Sequence, residues 1–272
     1  MLAAAGAENA ALDARLIVEH FTGTSRTDAV ARPELEIAEE AVTSVRAALF
    51  RRLAGAPVHR ILGRRGFYGL DLALSPATLE PRADTEILVD RMAPRLTEIA
   101  AQGGGCRILD LGTGTGAIAL ALLSQVAGAT AVGSDVDPQA VETAIANARQ
   151  AGLSQRFVGV VSDWFSAING KFHAIVSNPP YIDSREMASL PPEVRLYDPP
   201  KALDGGPDGL DAYRAIAQDA GKFLEPDGLI GVEIGHRQRK QVTTVFARAG
   251  FVPAEAGKDL GGRDRTLIFR AG

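Results

Sequence analysis

From Arg107 to Arg270, apolar runs of strand length alternate with stretches of helical period, and this alternation constrains the fold more than any other feature of the chain. Strands are expected at 107–112, 130–135, 156–161, 172–177 and 229–234, with two closing runs at Phe251–Ala256 and Thr266–Arg270. Helices are expected at 115–127, 138–151, 210–224 and 237–249. Such alternation implies an α/β domain with a mostly parallel, doubly wound sheet covered by helices on both faces. Ligands of such sheets sit beyond the carboxyl ends of the strands, at the point where the winding reverses. Here that point falls between the runs 107–112 and 172–177, so the residues following these two strands are the first candidates for function.

The first run opens into Asp110-Leu111-Gly112-Thr113-Gly114-Thr115-Gly116 and is followed by the apolar helical stretch from Ala117 to Leu123. Strand, glycine-rich turn and helix form a nucleotide-site layout. Ala117 stands where the dinucleotide fingerprint allows glycine or alanine, so the loop by itself leaves NAD open. The next apolar run ends in Asp135, whose carboxylate can accept both hydroxyls of an adenosine ribose, and Asp137-Pro138 then starts a helix.

The second run, Phe172–Ser177, is stopped by Asn178-Pro179-Pro180-Tyr181. Two consecutive prolines cannot continue a ladder that needs N–H donors. What remains at the strand end is a primary amide, carbonyls aimed by fixed proline φ angles, and an aromatic face. That set suits a planar NH2 group, which can donate to the Asn178 side-chain oxygen and to a backbone carbonyl of the turn while Tyr181 stacks on its plane. The plainer alternative is a proline-stopped strand with asparagine as turn former.

Together these stretches resemble the N5-glutamine methyltransferases of peptide-chain release factors, the HemK/PrmC family. The resemblance rests on Asp110–Gly116, Ser162-Asp163-Trp164-Phe165, Ser177–Ile182, Ala202–Gly206 with Gly209-Leu210, and Asp259-Leu260 with Arg263. Upstream it takes in Ile61–Gly63, Phe67–Gly69, Pro81-Arg82 and Asp84-Thr85-Glu86; Glu80 and Ala83 depart from the family's usual apolar residue and proline. The resemblance implies a seven-stranded Rossmann-like methyltransferase sheet with an antiparallel last strand. It also implies S-adenosylmethionine as cofactor and a release-factor glutamine, in a GGQ motif, as methyl acceptor. Carried onto this chain, Asp110, Gly112, Thr113, Gly114, Thr115, Gly116, Asp135, Asp163, Trp164 and Asn178 would bind the cofactor. Asp110 would face its amino-acid end, Asp135 its ribose, and Asp163-Trp164 its adenine. Asn178, Pro179, Pro180 and Tyr181 would carry the transfer.

Residues 1–56 read as a small helical domain, with Pro33 opening its longer helix, and the resemblance makes this a substrate-recognition domain. Residues 57–80 shift towards a period of two and read as a linking β-hairpin with Arg64-Arg65 at the turn. The resemblance makes residues 81–272 the methyltransferase domain, whose first helix is expected to start at Thr85 with Asp84 as N-cap. The stretch between Tyr181 and Gly209 is long enough to be a lid or binding loop.

Net charge, together with the blocks outside the active site, favours the protein acceptor. At −4 over 272 residues, the chain lacks the basic balance expected of an enzyme gripping a long polyanion. The runner-up, an amino-group methyltransferase acting on adenine or guanine in nucleic acid, would need a basic groove and a means of capturing a base. A non-catalytic adenosine- or NAD-binding domain would leave Asn178–Tyr181 without a role. The single cysteine, Cys106, excludes an internal disulfide and a cysteine zinc cluster. No metal site, membrane segment or secretory signal is read, and the expected location is the cytoplasm. His173 and His236 read as structural.

Overall fold

The computed structural model describes Leu2 and residues 9–272. The alanine-rich stretch at residues 3–8 lies outside the described residues. The chain divides into two compact units, one of Met1–Arg64 with Pro191–Tyr197, the other of Arg65–Leu190 with Asp198–Gly272.

The smaller unit is helical, with helices Ala10–Thr22, Arg26–Ala31, Glu39–Leu53 and Val58–Leu62. Its core is Ile17, Ala48, Ala56 and Ile61, against which Phe21, Val45, Leu49 and Tyr197 pack. Arg52 reaches the buried Asp13 at 2.6 Å and Glu193 at 3.6 Å, so the short helix Pro192–Tyr197, far along the sequence, belongs to this unit. Pro33 does not open the longer helix as expected. Ser25 and Asp28 form a capping box that starts Arg26–Ala31, and Pro33 directly follows its C-cap, Arg32. Proline there ends a helix because it cannot continue one.

The expected hairpin is shorter than 57–80. Pro57 and left-handed Gly63 bracket a helical turn at Val58–Leu62, and only β1 (Arg64–Phe67) and β2 (Leu70–Ala73) pair. Their turn is Tyr68-Gly69, with φ of 50° and 77°. Two positive φ angles in sequence match the twist of the flanking strands. Arg64 and Arg65 therefore lie in a strand, where Arg65 stands 3.6 Å from the buried Glu80. The first helix of the larger unit also differs from expectation. A 3-10 turn at Ala83–Thr85 leads into Glu86–Ile99 without a side-chain cap, because Asp84 pairs instead with Arg265 at 3.0 Å.

The larger unit carries the seven-stranded sheet: β3 (Cys106–Leu111), β4 (Ala129–Asp135), β5 (Phe157–Val161), β6 (Phe172–Ser177), β7 (Leu224–Glu233), β8 (Phe251–Lys258) and β9 (Asp264–Ala271). The strand order is β5-β4-β3-β6-β7-β9-β8. The first five pair in parallel, and β9 runs antiparallel to both of its neighbours. Strands buried on both sides read as continuous apolar runs, and successive residues supply opposite cores. Ile108 and Val176 join Leu88, Met92, Ile118 and Leu122 on one face. Leu109 and Ile175 join Tyr213, Ile216, Phe246 and Phe269 on the other. The pairing Ile108↔Ala174 through Asp110↔Val176 places β3 beside β6, so Gly112 and Asn178 emerge from neighbouring strands. The strand expected at 229–234 begins earlier, at Leu224, through a register shift against β6.

Candidate active site

The turn after β3 is set by backbone geometry before any side chain acts. Gly112, Gly114 and Gly116 have φ of 68°, 53° and 82°, a region that side chains other than glycine disfavour. A Cβ on Gly116 would meet Leu120 at 3.1 Å and Ala144 at 3.3 Å, whereas those on Gly112 and Gly114 would point into open space. The third glycine thus serves packing, and the first two shape a cavity. The Thr113 N–H donates to the Ser134 carbonyl at 2.8 Å, and the Gly114 N–H donates to Asp135 Oδ2 at 3.0 Å, tying the loop to the end of β4. The other Asp135 oxygen accepts the Asp137 N–H at 3.0 Å. Burial raises the Asp135 carboxyl above the ordinary range, against these two hydrogen bonds.

Asp110 stands elsewhere than expected. It is fully buried beneath the loop and does not line the cavity. Its Oδ2 accepts the Thr113 hydroxyl at 2.8 Å and the Ala119 N–H at 3.2 Å, while Oδ1 is buried without a partner. Desolvation pushes this carboxyl up to about 7. Asp110 therefore braces the turn and the following helix.

The cavity is lined by Gly112 to Thr115, Asp135 to Asp137, Asp163, Trp164, Asn178 and Pro180, with Leu79, Pro81, Thr85, Ile118 and Lys201 closing it. Trp164 is held at φ 46°, a strained value for a large side chain, and Ser162 accepts the Ala167 N–H while donating to the Trp164 carbonyl at 2.9 Å. Strain retained against such bonds marks a residue whose direction matters.

Gly116, Pro179 and Tyr181 do not line the cavity. Tyr181 packs into the core on the β7 side, its carbonyl accepts the Gln238 amide at 2.9 Å, and burial raises its phenol well above the ordinary range. The expected stacking face is turned into protein, because the chain leaving Pro180 is drawn towards Gln238 and β7. His173 is structural as expected, its Nδ1 accepting the Arg107 N–H at 3.1 Å.

Two contributors were not expected from sequence. Asn178 donates from Nδ2 to Thr85 Oγ1 at 3.3 Å, and Thr85 donates to Glu233 Oε2 at 2.5 Å. Glu233 is fully buried, and desolvation pushes it up to about 7. Its only signal in the sequence is a carboxylate closing an otherwise apolar strand.

Comparison with known proteins agrees with this arrangement. The PrmC N-terminal domain family matches residues 1–63, and the methyltransferase small domain family matches residues 83–190. A release factor glutamine methyltransferase of Agrobacterium fabrum is 53% identical over 99% of this chain and 93% of that protein. The Escherichia coli protein of the same name is 39% identical over 95% of this chain and 91% of its own length. The chain belongs to the release factor glutamine methyltransferase family. Among solved structures, the ribosomal protein L11 methylase of Lactobacillus delbrueckii subsp. bulgaricus superposes with a TM-score of 0.53 at 18% identity, covering 73% of this chain and 84% of that one. A methyltransferase from Pyrococcus furiosus gives 0.52 at 18%, over 84% and 98% of the two chains. These two share the fold. Among the described residues, no helix is long and apolar enough to cross a membrane, and no cluster of His, Cys, Asp or Glu could hold a metal ion.

Proposed function

We propose that this chain methylates the side-chain amide nitrogen of a glutamine in a peptide-chain release factor, and that Asn178 is the group that orients that amide. The observation that carries the proposal is the tethering of Asn178 Nδ2 to Thr85 at the cavity wall, which leaves Oδ1 as the free end of the amide.

The cavity suits S-adenosylmethionine. Asp135, Asp137 and Asp163 line it together with Lys201, and this excess of carboxylates among the described lining residues favours a positively charged sulfur and disfavours the diphosphate of NAD. Asp135 has lone pairs left for a ribose diol, and Trp164 with Ile118 and Val136 offers faces for an adenine. When bound, S-adenosylmethionine supplies an electrophilic methyl group.

A glutamine amide nitrogen is a weak nucleophile because its lone pair is delocalised. Catalysis by this chain is therefore mainly positioning. Asn178 Oδ1 accepts one N–H of the substrate amide, and a backbone carbonyl of the turn that follows it accepts the other, which aims the nitrogen. Such orientation can contribute several of the roughly 7–11 kcal/mol available from proximity. The same acceptors stabilise positive charge building on nitrogen, and the proton leaves afterwards to water.

Asn178→Ala tests this. Single-turnover transfer to a release-factor substrate at saturating S-adenosylmethionine is expected to fall about 10²-fold or more, the scale of one lost preorganised contact, with melting temperature little changed. A near-normal rate would return Asn178 to the role of turn former.

A further inference from the structure

We propose that Glu233 and Thr85 are positioning residues that set which end of the Asn178 amide faces the cavity. The proposal rests on the role given above to Asn178 and adds what holds it.

The polarity of the chain follows from chemistry. An ionised carboxylate only accepts hydrogen bonds, so at the 2.5 Å contact the Thr85 hydroxyl donates to Glu233 Oε2. With its proton committed, Thr85 Oγ1 can only accept from Asn178, and the partner 3.3 Å away must be Nδ2. Oδ1 is then the end left over for substrate. Asparagine by itself has no such preference, since its two ends differ little in shape.

The surroundings of Glu233 make this polarity sensitive to protonation. Asp84 and Thr85 face it from the turn before the helix Glu86–Ile99, Tyr181 from the segment after β6, and Arg265 from β9. Tyr213 comes from the helix Asp211–Phe223, with its hydroxyl on the Glu233 carbonyl at 2.9 Å. Arg265 does not compensate the burial, because it is shared between Asp84 at 3.0 Å and Asp259 at 3.2 Å. Desolvation dominates, and the carboxyl titrates at about 7. Once protonated, Glu233 can donate to Thr85, Thr85 can then donate to Asn178 Oδ1, and the amide is free to turn its NH2 end towards the cavity. That end donates where substrate needs an acceptor.

Four variants and a pH series, in the full chain with saturating S-adenosylmethionine and a release-factor substrate, test the proposal. In the native protein single-turnover transfer should rise with pH through about 7. Glu233→Gln, whose amide can donate or accept, should lose that step and transfer about tenfold more slowly above it, the scale of one hydrogen bond. Thr85→Val should show a similar loss, and Thr85→Ser should recover most of it. Melting temperatures on the same preparations separate slow transfer from poor folding. If Asn178→Ala is slow while Glu233→Gln and Thr85→Val keep the native rate and pH step, the relay is wrong and the role of Asn178 stands. If Asn178→Ala itself transfers normally, the underlying reading fails first.

Discussion

A buried carboxyl with one unpartnered oxygen is a costly thing to place under a binding loop, and Asp110 shows what it supplies. By taking both the Thr113 hydroxyl and the Ala119 N–H on Oδ2, it locks the glycine turn to the helix it opens. Its carboxyl is pushed up to about 7, mainly by desolvation and further by Asp135. A carboxyl raised in the folded state favours folding at low pH, and that contribution is lost as pH climbs from the ordinary carboxylate range through the folded value. Stability of the cofactor-free protein should therefore fall from pH 5 to 7 by up to about 1.4 kcal/mol per pH unit for each such group. Glu233, also raised to about 7, contributes in the same direction. Asp110→Asn should give a shallower fall in urea denaturation across this range; identical slopes would show that Asp110 is not the titrating group.

At the scale of elements, the segment from Tyr181 to Gly209 is stitched onto the Pro-Pro-Tyr turn. The Ile182 N–H donates to the Leu203 carbonyl at 2.9 Å, the Gly205 N–H returns to the Ile182 carbonyl at 2.8 Å, and the Ser184 N–H meets the Gly206 carbonyl at 2.9 Å. This explains why the Ala202–Gly206 block accompanies Asn178–Tyr181. A Cβ on Gly205 would lie 2.8 Å from both the Pro180 carbonyl oxygen and Tyr181 Cα, which are backbone atoms with little room to give. Gly205→Ala should cost about 1–3 kcal/mol by overpacking, and it should slow transfer beyond the loss of folded protein because it displaces the turn that aims Asn178. Melting temperature and single-turnover rate measured together check this. Full turnover per folded molecule would show that the turn tolerates the shift.

On the scale of the whole chain, the division falls at Arg64, with Pro191–Tyr197 grouped into the helical unit. β2 belongs with the sheet unit, where Asn147 donates to the Ala73 carbonyl at 3.1 Å and to the Thr115 carbonyl at 2.9 Å, beside the glycine loop. A chain beginning at residue 65 should therefore retain S-adenosylmethionine binding by calorimetry. We propose the helical unit as the part that recognises the protein substrate, so the same truncation should slow transfer to a release factor. Transfer at the full rate would place recognition elsewhere.

Period and punctuation made the sheet legible. Parallel strands buried on both faces are continuous apolar runs, glycines at positive φ mark the turn after β3, and prolines mark the end of β6. All of these are local signals. Pro33 and Asp84 were misread as helix openers because Pro33 follows the end of the helix Arg26–Ala31 and Asp84 pairs with the distant Arg265, and neither shows in hydrophobic period. The cavity residues at Gly112–Thr115, Asp135, Asp163, Trp164 and Asn178 were legible because they follow strand ends directly. Whether a side chain at such an end faces the cavity or the core was decided only by tertiary packing. That packing turned Tyr181 inward and sank Asp110 beneath the loop. It also brought Glu233, through Thr85, to the back of Asn178 from a strand paired with β6. Local sequence determined where the chain stops and turns; the direction of each group at those stops depends on partners far away in sequence, which only the folded sheet brings within hydrogen-bond distance.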